Sequence, residues 1–245
     1  MWNKENRKAM NQTELIDRLN TQFAEKSIVE TLNYVVENHP GKVIFTTSFG
    51  YEDQVITDMI FKNNIDIEVI TLDTGRLFPE TYKVYRSTLE KYKKPIKAFF
   101  PSADKVEELL LKKGPFSFYE SLENRKECCY IRKVIPLKRA LKGNEIWITG
   151  LRASQSENRS DLHFFEWDGG NEIIKYNPLL NWSLDEVKKY IKENYVPYNV
   201  LHDKGFVSIG CEPCTRAIQP GEDFRAGRWW WEQNSGKECG LHSAE

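Results

Sequence analysis

Five cysteines carry the most chemistry in this chain. Cys128 and Cys129 are adjacent, Cys211 and Cys214 follow far downstream as C-E-P-C, and Cys239 stands alone near the end in K-E-C-G-L-H. Four thiols in two tight pairs suit a soft metal, because deprotonated sulfur is its preferred ligand. Zinc in an all-cysteine site usually draws on two C-x-x-C hairpins. Here one pair is adjacent, and neighbouring side chains on a helix diverge by about 100°. A cubane cluster presents iron corners several Å apart and accepts such a pair, so the four ligands point to one [4Fe–4S] cluster per chain. The competing reading, small buried hydrophobes, suits one or two free cysteines better than four in two pairs.

Cys239 is the candidate nucleophile. A thiolate attacks, not a thiol, and nearby cations lower its pKa. Lys237 and His242 are close in sequence, and Arg225 and Arg228 lie upstream in R-A-G-R-W-W-W. The arginines could bind substrate oxyanions in bidentate fashion. The blander readings are an incidental thiol and a solvated His242. Trp229, Trp230 and Trp231 either seal a tail over a cleft or anchor it to the core. Arg132 and Lys133 closely follow the first cysteine pair, and Arg152 and Arg159 bracket A-S-Q-S-E-N. Each alone reads as a solvated charge. Arg152 is the exception, because it stands at the end of a predicted strand.

Those side chains need a scaffold, and the apolar pattern supplies one. Leu15, Leu19, Phe23, Ile28, Leu32 and Val35 recur near a 3.6-residue spacing, so the first 40 residues read as helix up to His39-Pro40-Gly41. Strands are expected at 43–47, 68–72, 96–100 and 145–151, and helices at 52–62, 79–92, 105–112 and 129–141. Pro79 opens its helix, where proline is accepted. Pro136 must sit at a start or a kink. Stretches 163–167 and 172–176 flank Asp168-Gly169-Gly170 and suggest a hairpin. A helix over 184–195 is capped by Ser183. From Pro197 onward the chain is turn-rich. Alternating strands and helices with short links imply an α/β fold, an open and mostly parallel sheet flanked by helices. We expect one domain over 1–215, N-terminal helices included, and a catalytic tail over 216–245.

In such a sheet, ligands bind beyond the carboxyl ends of strands. Ser48 and Gly50 lie in T-S-F-G-Y-E-D after the first strand, and Asp73, Thr74 and Gly75 lie in L-D-T-G-R-L-F-P-E-T-Y after the second. Either loop alone could be an ordinary glycine-containing turn, and Asp73 a turn-capping carboxylate. Two on neighbouring strands favour a nucleotide crevice.

Bulk composition narrows the classes. A net charge of −1 shows no global bias toward nucleic acid or an anionic membrane. Hydrophobic content of 40% and charged content of 29% describe an ordinary globular chain. No apolar run reaches the length of a membrane span, and no secretory signal is visible. A cytoplasmic location is expected, where thiols stay reduced. An odd number of cysteines argues against a disulfide framework.

The motifs S-F-G-Y-E-D, L-D-T-G-R-L-F-P-E-T-Y, E-C-C-Y-I-R-K, C-E-P-C-T-R, G-R-W-W-W-E and K-E-C-G-L-H together resemble the assimilatory adenylylsulfate and phosphoadenylylsulfate reductases. The paired cysteines are similar to those of the cluster-containing branch, typically specific for 5′-adenylylsulfate (APS) over its 3′-phosphorylated form (PAPS). The resemblance implies an adenine nucleotide α-hydrolase-like fold. It implies thioredoxin as reductant, an S-sulfocysteine at Cys239, and the cluster on Cys128, Cys129, Cys211 and Cys214. It places Lys133, Arg152, Arg225, Arg228 and His242 against the phosphosulfate. Ser48 to Asp53 and Leu72 to Arg76, including Gly50, Asp73, Thr74 and Gly75, form the adenosine pocket. It leaves room for a homo-oligomer. Rival readings are a PAPS or dual-specificity reductase, an RNA-thiolation enzyme of the same fold, and a zinc-stabilised binding module. The RNA enzyme would want an intact S-G-G-x-D-S loop and a basic surface.

Overall fold

The structure, a computed structural model, describes residues 12–155 and 162–232. Six strands share one sheet, in the spatial order 97–99, 68–72, 43–46, 146–148, 173–176 and 165–168. The described residues divide into two compact units: one formed by 12–47, 51–69, 143–155 and 162–196, the other by 48–50, 70–142 and 197–232.

The first unit begins with helices α1 (Gln12–Phe23) and α2 (Ile28–Asn38). The single helical run expected from periodicity is broken between them. Ser27 there takes an extended conformation and forms a capping box with Glu30, which satisfies free N–H groups of a new helix start. Strands β1 (Val43–Thr46) and β4 (Ile146–Ile148) pair in parallel, Ile44 opposite Trp147. Their side chains are almost wholly buried on both faces, as a covered parallel sheet requires. Strand β6 (Ile173–Tyr176) continues the parallel run beside β4, and β5 (Phe165–Asp168) closes the expected hairpin antiparallel to it. Asn20 of α1 both donates to the Phe165 carbonyl and accepts from its N–H at 2.9 Å, which covers this edge strand. Helix α3 (Tyr51–Lys62) is buried nearly all round. Helix α8 (Leu184–Glu193) carries the expected Ser183 cap as a full capping box with Glu186.

In the second unit, the Ile70–Leu72 part of β2 (Glu68–Leu72) pairs in parallel with β3 (Lys97–Phe99). Helix α4 (Pro79–Tyr92) has proline in its first turn and stops at Lys93, which adopts φ 54°. Helix α5 (Ala103–Lys113) ends at Gly114, whose φ of 75° suits only glycine cheaply. Then comes the helix bearing the cysteine pair. It runs as α6 (Leu122–Cys129), a π-helical segment Tyr130–Val134, and α7 (Ile135–Leu141). The sequence predicts one helix with Pro136 at a start or a kink, and Pro136 stands in the first turn of α7. Pro136 has no N–H for the carbonyl four residues back. The ladder slips there to a wider register, with Ile135 N–H reaching the Tyr130 carbonyl. From 197 to 232 the chain forms turns and short 3-10 segments at Val200–Lys204 and Glu212–Cys214.

Candidate active site and metal centre

The second unit gathers the four paired cysteines. Cys128 and Cys129 end α6, Cys211 precedes and Cys214 ends a 3-10 turn, and all four are buried at 8% exposure with Phe118, Leu109 and Trp229 around them. They line one cavity of about 360 Å³, measured out to its open mouth. The C-E-P-C turn is held from two sides. Leu77 pairs with Cys211, and Glu212 N–H donates to the Arg76 carbonyl at 2.8 Å. On the other side Thr215 pairs with Arg228, and Trp229 N–H donates to the Cys214 carbonyl at 3.2 Å. Thr74 Oγ1 lies 3.2 Å from Cys211 Sγ, so the L-D-T-G-R-L loop touches a cysteine directly.

Cations surround the thiols: Arg76, Arg125, Arg132, Lys133 and Arg228 line the same cavity. Arg132 donates to the Thr74 carbonyl at 2.7 Å. The Arg125 and Arg228 guanidinium carbons lie 4.5 and 4.6 Å from the Trp229 ring, and that of Arg225 5.9 Å. Trp229 is 1% exposed with φ 43°, a left-handed geometry costly for a bulky residue. Gly210 leaves room for the Arg228 guanidinium, which a Cβ there would strike. Arg76 donates to the Pro115 carbonyl at 2.5 Å and covers the Phe118 ring.

Burial pushes the Cys214 thiol up to about 12, with Cys211 adding to the shift, and burial likewise raises Cys128 against the pull of Arg132 and Arg76. Bare, the Cys128 and Cys214 thiols hold their protons at neutral pH; a metal would remove them. Among the described residues, no group of three or more His, Cys, Asp or Glu side chains is gathered to hold a single metal ion. Among the described residues, three buried donors on the cavity wall have no hydrogen-bond partner: Arg132 Nε, Arg228 Nε and Trp229 Nε1. Buried donors of this kind call for an acceptor. Four soft sulfurs around one cavity, positive walls and unpaired N–H donors fit an anionic polynuclear iron–sulfur centre better than one zinc ion.

The two predicted loops are built with unequal support. In the second, Asp73 is 7% exposed and accepts from Gly75 N–H at 2.8 Å. The Tyr82 hydroxyl donates toward both its carboxylate oxygens at 3.0 Å. Gly75 takes φ 71°, a turn conformation that glycine adopts freely. In the first, Gly50 N–H reaches Ser48 Oγ across 3.4 Å. Tyr82 is the last residue of L-D-T-G-R-L-F-P-E-T-Y, yet nothing in its spacing shows that it grips Asp73; helix α4 brings it back.

Arg152 belongs to the first unit. It lies just past β4, 1% exposed, its guanidinium bonded to Glu52 at 2.7 Å, Ser154 at 2.6 Å and the Trp182 carbonyl at 3.2 Å. A Cβ on Gly150 would run into the Asp53 carboxylate and Glu52. Glycine therefore lets this strand end close against the start of α3. Arg159, Lys237, Cys239 and His242 lie outside the described residues.

A mostly parallel six-stranded sheet with helices, loops beyond its strand ends and a buried cysteine cavity define an α/β protein of the adenine nucleotide α-hydrolase-like type. The phosphoadenosine phosphosulfate reductase domain matches residues 42–217, and the chain belongs to that oxidoreductase family. It is 50% identical over 204 residues to the adenosine 5′-phosphosulfate reductase of Agrobacterium fabrum, covering 83% of this chain and 78% of that one. It is 47% identical over 225 residues to the enzyme of the same name from Neisseria meningitidis serogroup B, covering 91% of each. Among solved structures, the phosphoadenylyl-sulfate (PAPS) reductase of Candida auris, a phosphate complex, superposes with a TM-score of 0.72 at 36% identity, covering 86% of this chain and 98% of that one. No described helix is long and apolar enough to cross a membrane.

Proposed function

We propose that this protein reduces adenosine 5′-phosphosulfate to sulfite and AMP in assimilatory sulfate reduction, with thioredoxin as reductant in a cytoplasmic setting. The observation that carries the reading is the cation-lined cavity holding all four paired cysteines, in a chain about half identical to relatives named for that substrate. The Cys239 thiolate attacks the sulfate sulfur. An S–S bond forms, the S–O bond to the phosphate breaks, and AMP leaves with the electron pair. A thioredoxin thiolate then attacks Cys239 Sγ and sulfite departs. The second thioredoxin thiol resolves the mixed disulfide, so the dithiol loses two electrons and S(VI) becomes S(IV).

Arg225, Arg228, Lys133, Arg152 and His242 are assigned to the phosphosulfate, whose charge a thiolate would otherwise repel. Ser48, Gly50, Asp73, Thr74, Gly75 and Arg76 are assigned to the adenosine side. Cys128, Cys129, Cys211 and Cys214 would hold a [4Fe–4S] cluster, which when bound supplies a fixed electrostatic and structural centre. Thr74 supports a link between the two sites, since its hydroxyl meets Cys211 and its carbonyl accepts from Arg132. Cys239→Ser should form no labelled sulfo-enzyme from sulfur-labelled APS in a single turnover; label on that variant sinks the nucleophile assignment.

A second reading, PAPS as substrate, is favoured by the 36% identity to a PAPS reductase structure. Competition between APS and PAPS for one enzyme decides it: at least about a hundredfold preference in kcat/KM for one substrate is expected of a dedicated enzyme, worth about 2.7 kcal/mol.

A further inference from the structure

Phe49, in the middle of the S-F-G turn, takes φ 60°, the left-handed region that bulky side chains avoid. It is also 1% exposed, so its conformation is set by packing. Its ring stacks on Tyr85, with centroids 4.9 Å apart and planes 28° from parallel. The Tyr85 hydroxyl donates to the Ile96 carbonyl at 2.6 Å, next to β3, which fixes the ring in place. Burial raises the Tyr85 pKa, with Asp73 adding to it, so the phenol stays a neutral donor. Tyr85 follows Tyr82 by three residues on α4, so both project from one face of that helix. Tyr82 holds Asp73; Tyr85 holds Phe49. Nucleotide-binding turns work through the direction of their backbone N–H groups, and a residue off its preferred φ keeps that direction only while its surroundings enforce it.

We propose that Tyr85 is a positioning residue for nucleotide binding: by clamping Phe49 in the left-handed conformation, it aims the backbone of Ser48, Phe49 and Gly50 at the substrate. The inference rests on the reading of that turn as part of the adenosine pocket. It makes helix α4 the common support of both loops, one tyrosine to each.

The test uses the full-length iron-loaded protein with AMP as probe, measured by calorimetry, alongside APS kinetics and thermal melting. Tyr85→Leu removes the stack and should weaken AMP about tenfold and raise the KM for APS by a similar factor, the upper range for an aromatic pair. The kcat should stay within about threefold, since no reacting atom is touched. Tyr85→Phe keeps the ring and should bind AMP within about twofold of the unaltered protein. Phe49→Gly supplies a residue that takes positive φ without a clamp. In that background Tyr85→Leu should change AMP affinity by less than about twofold, a non-additivity that loss of general stability would not produce. If Tyr85→Leu does not fold, Phe49→Leu removes the same stack from the turn side and should show the same tenfold loss. Folded Tyr85→Leu or Phe49→Leu protein with unchanged AMP affinity overturns the inference, as do equal losses from Tyr85→Leu in both backgrounds. If the unaltered protein fails to bind AMP, the reading of the turn falls first and the inference with it.

Discussion

Glu232 offers a measurable test of how the cysteine cavity is closed. Its carboxylate takes a two-point bond from Arg125, Nε at 2.8 Å and the terminal nitrogen at 2.9 Å. The Arg125 side chain is 2% exposed and that of Glu232 10%. Burial works against the Arg125 charge; the Glu232 bonds and charge, with Cys129 adding to them, more than offset it, so its pKa is raised. Glu232→Gln removes the charge while keeping the shape, leaving a buried guanidinium short of its counter-ion. Breaking a buried pair from one side costs about 3–5 kcal/mol, and one surviving amide contact puts Glu232→Gln near the lower end. For a chain of this size that corresponds to a melting shift of roughly 6–12 °C. Glu222→Gln is the internal control. Glu222 pairs with Arg216 at 2.8 Å but both side chains are about a third exposed, so water screens the pair and its loss should leave the melt nearly unchanged. Paired melts and urea titrations of the two variants, at matched iron content, read the difference. Equal small shifts would refute the claim that the Arg125–Glu232 pair holds this wall. Replacing both residues by apolar ones, Arg125→Met with Glu232→Leu, should recover much of the loss.

Two further expectations concern the loop and the cavity. Burial and then Asp73 push the Tyr82 phenol up to about 12. An unfolded tyrosine ionises near about 10, so this interaction favours the folded state below that pH and is lost as pH rises through about 12. In an NMR titration of ring-labelled tyrosine, the Tyr82 resonance should hold still past pH ~11; a midpoint near ~10 would show that the bond to Asp73 is not formed. Cys214→Ser should cut bound iron and acid-labile sulfide by more than about half, together with the broad visible absorption of an iron–sulfur centre. Zinc in the purified protein without iron or sulfide would count against the cluster.

Much of the scaffold could be read along the chain because its signals are local. Ser183 before Leu184, Pro79 at a helix start and Asp168-Gly169-Gly170 between two β-prone runs act within a few residues, and each recurs in the structure. The break at Ser27 is hidden in the sequence because the apolar spacing runs on through it: Phe23 and Leu32 are both buried, though they lie on different helices. The π segment after Cys129 needed both the missing N–H of Pro136 and a packed helix to absorb it.

The sequence by itself determined which atoms could do chemistry. It held four sulfurs in two pairs, a lone Cys239, an excess of arginine beside them, and two glycine-bearing turns after strands. Residue type and near-neighbour spacing decide such properties. Only the tertiary structure decided which of these meet. Thr74 against Cys211, Arg76 on the cysteine cavity, Tyr82 on Asp73 and Tyr85 on Phe49 join residues that no periodicity links. Those contacts arise because chain segments distant in sequence must share one buried volume, where each polar group needs a partner and each ring needs a neighbour.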